Sequence, residues 1–346
     1  MKKKKENKRK KMRTLILLLF LTITMFGAST YAWFTANRMV TINSLDVHVE
    51  ASNGLQISTD AVAWKSVITN TDILQNAYAN NVNMVPSSVT AVSTDGTVNA
   101  DTRGIDMYKS IIGNDSATGD YNIKAELDTE AAGTTGNFIA FDVFLRVDED
   151  KDIYMTNASN VVAKGDDKGL KNASRIAFVP VGHGASTLSS AELIALKYST
   201  ADMPSKAIIW EPNATTHTDL VVASVAPEYK VSLNNASGGT RTKYYGLKTA
   251  IADPMLLIPV VNPDSITDSA QAAPYRAVSS EVTPDIVTAA GNTNYVKAFN
   301  LKAGVTKMRI YMWLEGQDID CENGATGSDV TYNLQFSTDS SAPVTP

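Results

Sequence analysis

The chain has 346 residues, 44% of them apolar and 19% charged, with one cysteine and a formal net charge of −5. That composition belongs to a folded chain with ample material for a core, and a lone cysteine excludes an intramolecular disulfide framework and any multi-cysteine zinc or iron–sulfur site. Nine Lys and Arg against Glu6 give the first thirteen residues a net +8 and leave −13 on the remainder, a poor partner for a phosphate backbone, so nucleic acid is not an expected partner.

The basic run is followed by an uncharged apolar stretch, Thr14 to Phe26, and then by Gly27-Ala28-Ser29-Thr30-Tyr31-Ala32. A basic region, a short apolar core and small residues are the order of a secretory signal, so residues 1–32 read as a leader cut after Ala32 to release a chain starting near Trp33. The alternative is an uncleaved anchor, since Thr14 to Phe34 matches the roughly 20 residues that cross a bilayer as a helix. Both readings leave the basic tail in the cytoplasm and the rest outside. The expected location is therefore secreted, with signal peptidase as a partner and the membrane touched only through the leader. A type IV prepilin would need a glycine before the apolar stretch and a glutamate within it; Gly27 instead follows it.

Beyond the leader the dominant signal is period-two alternation over short segments, which predicts strands with one apolar and one polar face. Val40 and Ile42 hold one phase and Leu45, Val47, Val49 and Ala51 the other, so a bulge or bend is expected at Asn43-Ser44. Asn53-Gly54 offers a type I′ turn, with Leu55 and Ile57 starting a returning strand, whereas Trp33 to Ile42 has no obvious hairpin partner. Further strands are expected at Tyr121–Leu127, Phe138–Val147, Arg175–Val181, Ala207–Trp210 and Lys230–Leu233. In the second of these Ile139, Phe141, Val143, Leu145 and Val147 point inward and Asp142 and Arg146 outward. From Met308 to Glu315, Met308, Ile310, Met312 and Leu314 share one face and Arg309, Tyr311, Trp313 and Glu315 the other; Val330, Tyr332, Leu334 and Phe336 alternate with polar residues. Pro180 and Pro212 mark strand ends or edges. The best short helix is Ala191–Tyr198, entered by Ser189 or Ser190 as a cap. The polar, small-residue stretches 84–120, 150–174 and 212–300 read as long loops carrying short strands. Together these predict an all-β chain, a jelly-roll-like antiparallel β-sandwich with long loop insertions and few short helices, forming one elaborated domain over 45–346.

Catalytic patterns are missing. His48, His183 and His217 lack the H-E-x-x-H spacing and read as solvent-exposed, and no nucleophile elbow, phosphate loop or dinucleotide fingerprint occurs. The expectation is no enzyme and no cofactor. Asp148, Asp150 and Asp152 have the alternating spacing with which a loop offers oxygens to calcium, without the following glycine and closing glutamate, and a solvated acidic turn competes with that reading. Glu315-Gly316-Gln317-Asp318-Ile319-Asp320-Cys321-Glu322 sets four carboxylates around the cysteine. It reads as a connecting turn, with Cys321 either tucked in as a small apolar residue or bridging to another chain.

Two segments carry a resemblance. Thr30-Tyr31-Ala32-Trp33-Phe34-Thr35-Ala36-Asn37, with the strand ending Asn43-Ser44-Leu45-Asp46-Val47, resembles the start of the TasA/camelysin family of secreted Gram-positive proteins. Trp313-Leu314-Glu315-Gly316-x-Asp318-x-Asp320-Cys321 and the closing Asn333-Leu334-Gln335-Phe336 are similar to a pattern in their Firmicutes relatives. The resemblance covers about a fifth of the chain and not the middle. It implies a dedicated signal peptidase and a jelly-roll subunit of cell-surface or biofilm-matrix fibres, alone or with related subunits. Residues 33–44 would be the donor segment that completes the next subunit's sheet, with Phe34, Met39, Val40 and Ile42 as its apolar side chains. The alternatives are a monomeric adhesin or carbohydrate-binding sandwich, whose sugar platforms would be Tyr311, Trp313, Trp210 and Trp64, and a camelysin-like metalloprotease, for which no zinc motif is present.

Overall fold

The computed structural model describes residues 40–49, 54–75, 82–114, 121–164, 169–225, 233, 239, 241–256, 269–289, 291–321 and 329–342. The leader, the Ala32–Trp33 junction, Phe34, Met39, Asn53 and most of the expected 230–233 strand lie outside these residues. In chain order the strands are β1 (Val40–Val49), β2 (Gln56–Ser58), β3 (Val67–Thr69), β4 (Ser88–Val89), β5 (Ala91–Ser93), β6 (Met107–Asn114), β7 (Tyr121–Asp128), β8 (Ile139–Val147), β9 (Lys151–Met155), β10 (Asn160–Lys164), β11 (Ser174–Gly184), β12 (Ile208–Glu211), β13 (Tyr244–Leu247), β14 (Ile251–Leu256), β15 (Ser279–Val282), β16 (Ile286–Val287), β17 (Val296–Leu301), β18 (Gly304–Glu315) and β19 (Asp329–Ser337). The helices are α1 (Asn70–Gln75), α2 (Leu170–Ala173), α3 (Ser190–Ile194) and α4 (Ser269–Val278).

The first sheet runs β17-β9-β19-β1-β3, with β10 also on β19 and β4 also on β1; the second runs β14-β7-β6-β5-β18-β11-β12-β16, with β8 on β18 and β2 on β8. A β13–β15 ribbon stands apart. The chain is thus mainly β, and the sheets are mixed rather than antiparallel, because β1 runs parallel to β19, β12 to β16 and β18 to β5.

The period-two pattern explains where the core sits. The predicted inward residues of β8 join Met308, Ile310, Met312 and Leu314 of β18 and Val330, Tyr332, Leu334 and Phe336 of β19 in one cluster between the two sheets. Within it Phe178, Phe299 and Phe336 form a triangle of rings with centroids 5.5–5.7 Å apart. Each such side chain contributes roughly 1.5–3 kcal/mol by leaving water.

The opposite faces of β8 and β18, expected to meet solvent, do not. Tyr311 and Trp313 pack with Val92, Met107, Ala177, Val179, Ile209, Tyr244 and Val282 in a second cluster, so the centre of the second sheet is covered on both faces. Asp142 and Arg309 are buried there as an ion pair, 2.7 Å apart, while Arg146 is partly buried against Gln56 and the Trp64 ring. Alternation of apolar and charged residues marked the two faces correctly. It did not reveal that the insertions between strands fold back over the polar one.

The covering layer lies close to the sheet. A Cβ on Gly246 of β13 would sit 1.9 Å from the carbonyl oxygen of Thr94. We expect Gly246→Ala to destabilise the protein by about 1–3 kcal/mol through overpacking, read as a lowered urea midpoint at unchanged slope.

Local signals were mostly readable. The β1–β19 register slips between Ile42 and Ser44, where the phase change predicted a bulge. Ser189 caps α3 in a reciprocal capping box with Glu192, although the helix ends at Ile194 rather than at Tyr198. Pro180 lies within β11 at a register shift, and Pro212 directly follows β12. The Asn53-Gly54 expectation needs correction. Gly54 has φ +84° as a tight turn requires, but β2 pairs with β8 instead of returning along β1, so β1 and β2 belong to different sheets.

Candidate functional site

Three places hold the residues the sequence singled out. The first is the slot of β1. This strand lies between β19, to which it is parallel (Ile42 opposite Val330, Val47 opposite Leu334), and the antiparallel β3 and β4 (His48 opposite Val67, Val40 opposite Val89). Val40 to Ile42, the end of the expected donor segment, therefore pair within the chain on both sides. The strand also runs without a break through the expected boundary at residues 44 and 45.

The second place is the end of β18, where the segment read as a connecting turn is instead buried. Glu315 and Gln317 are wholly enclosed, and Asp318 and Asp320 nearly so. Arg175 of β11, itself 0% exposed, donates through Nη2 to Asp318 and, at 2.8 Å, to Glu211 of β12. Arg241 donates to the other oxygen of Glu211, and the Arg175 guanidinium lies 4.7 Å from the Tyr244 ring centre. Glu315 accepts from Trp313 Nε1 and the Gln317 amide, each at 3.0 Å. Burial pushes its carboxyl up to about 7, more than hydrogen bonds from Ser93, Trp313 and Gln317 pull it down. His217, expected in solvent, is buried with Nδ1 2.7 Å from Asp320 Oδ2. Burial raises the Asp320 carboxyl, as does the nearby Asp318 charge, while the His217 contact opposes both. The single signal that pointed here was the density of carboxylates; no periodicity reveals that residues 175, 211, 217 and 241 converge on them.

Cys321 ends this segment half-buried and forms no disulfide, its amide donating to the Asp318 carbonyl. We expect Cys321→Ser to hold the melting temperature within the few degrees that correspond to about 1 kcal/mol. A wild-type dimer on non-reducing gels that the mutant lacks would show an interchain bridge instead.

The third place is a cleft of about 450 Å³ on the covered face of the second sheet. Its floor is Arg309, which holds Asp142, Glu130 and the Val82 carbonyl, and Lys307, 2.8 Å from the Ile194 carbonyl. One wall carries Arg103, whose backbone is left-handed at φ +64° and whose guanidinium ties to Tyr198 and Thr200.

The remaining candidates are dispersed. Asp150 pairs with Lys302 at 2.7 Å and Asp152 with Lys297 at 2.9 Å, each lysine holding its carboxyl below the usual range. With Asp148 they do not form a metal-binding group, and none of three or more His, Cys, Asp or Glu occurs among the described residues. Tyr311, Trp313 and Trp210 are fully buried, so they offer no sugar platform. Trp64 is partly buried with the Arg146 guanidinium 4.2 Å from its ring centre. His183 Nε2 contacts the Ala303 carbonyl. Comparison with protein families, with curated proteins and with solved structures returns no match.

Proposed function

We propose that this is a secreted structural protein of the cell surface or biofilm matrix, a jelly-roll-type subunit that assembles into fibres when its first strand completes the sheet of a neighbour. The observation that carries the reading is the placement of β1. It is the first described strand, it lies inside a sheet rather than at its edge, and it pairs in parallel with β19, so no hairpin ties it to that strand. A strand held in this way can be contributed by a second copy with the same ladder and register, which is the chemistry of β-augmentation. The buried ion pairs suit a scaffold as well, since they fix elements in place and present no nucleophile to solvent. Electron microscopy of the secreted protein tests this: filaments are expected, and a monomer under all assembly conditions contradicts it.

The cleft at Arg309 favours a second reading, a monomeric adhesin that binds a polar ligand there. Its volume lies within the range of small-molecule sites and its charged groups converge. If that reading holds, Arg103→Gln abolishes adhesion and leaves any filaments intact.

A further inference from the structure

We propose that the layer covering the second sheet is latched by protons. Four carboxylates (Glu211, Glu315, Asp318 and Asp320) are enclosed at the end of β18 with the buried Arg175 guanidinium, the partly exposed Arg241 guanidinium and one imidazole (His217). Four carboxylates against two guanidiniums leave a deficit of two positive charges, which a proton on Glu315 and one on the His217–Asp320 pair would supply. An uncompensated charge in a buried site costs far more than one at a surface.

The geometry places these protons where they control a specific contact. Arg175 stands on β11 and Glu315 on β18, both strands of the sandwich, whereas His217 and Arg241 belong to segments that cover it. Glu315 is surrounded by Arg175, by Tyr244 of β13 and Tyr275 of α4, and by the uncharged Ser93, Trp313 and Gln317. Arg175 is the cation among these groups, and it is already shared with Glu211 and Asp318.

The sign follows from linkage. The Glu315 carboxyl rises from its ordinary 4.5 to about 7 in the fold, so the folded state holds that proton more tightly than the unfolded state does. The associated stability is complete below pH 4.5 and is lost as pH rises through about 7. Loss of the proton weakens the contact between the covering segments and the sheet, opening that layer before the sandwich core.

Hydrogen exchange at pH 5.5 and pH 8.5, corrected for intrinsic rates, tests the latch. Protection of 211–222 and 241–256 should fall roughly tenfold or more between the two, as a displaced carboxyl pKa requires, while β8 and the middle of β18 hold theirs. In Glu315→Gln the greater part of that fall should vanish. Should the variant not fold, the infrared band of a protonated buried carboxyl in the wild-type protein, present at pH 5.5 and absent at pH 8.5, reads the same proton. Equal protection at both pH values, an identical fall in the variant, or a carboxylate band already complete at pH 5.5 would overturn the proposal.

Discussion

Arg175→Met should cost about 3–5 kcal/mol, the loss typical when one partner of a buried ion pair is removed. The guanidinium has no solvent exposure and bridges Glu211 and Asp318, while its Nη1 donates to the Asn172 and Ser174 carbonyls at 2.8 and 2.9 Å. Methionine fills similar volume but leaves both carboxylates without that partner, so the loss is electrostatic more than steric. Combining Arg175→Met with Glu211→Gln and Asp318→Asn should therefore recover a substantial part of the stability in urea titration. A single-mutant loss below about 1 kcal/mol would place the group in the range of exposed ion pairs and contradict its enclosure.

Deleting residues 33–42 should leave a folded, soluble monomer that makes no fibres, whereas Cys321→Ser still polymerises. The bonds lost inside the chain among the described residues are those of Val40 to Ile42 with β4 and the start of β19. Seating Phe34, Met39, Val40 and Ile42 in a neighbour would supply roughly 1.5–3 kcal/mol each, enough with ladder hydrogen bonds to meet an association cost of about 4–15 kcal/mol. Sedimentation and electron microscopy separate the outcomes. Normal fibres from the truncated chain would transfer the assembly role to another surface.

The core between the two sheets was legible because β8, β18 and β19 alternate cleanly and because one face of each is purely apolar. The covering layer was not, because its ribbon strands β13 and β15 are only four residues each and the segments around them are polar. The Asn43-Ser44 slip was readable because a change of phase in a strand has few other causes. His217 shows the opposite case. The local sequence Thr215-Thr216-His217-Thr218-Asp219 has the composition of an exposed loop, and its burial depends on Asp320, 103 residues away. Parallel pairing of the first and last strands is likewise a property of topology that no short-range pattern encodes.

Assembly by strand exchange requires the β1 slot to be filled by another chain, and the register states where to look. Asp46 lies opposite Asn333 across the β1–β19 pair, and Asn333 belongs to the partly exposed face of β19. In a Cys321→Ser background, one preparation carries Asp46→Cys and a second Asn333→Cys; the two are mixed under assembly conditions and oxidised. Strand exchange predicts a disulfide joining the two chains, abundant in filaments and lost on deletion of residues 33–42. If the cysteines join only when both are on one chain, β1 serves its own sheet alone and assembly by strand exchange is contradicted.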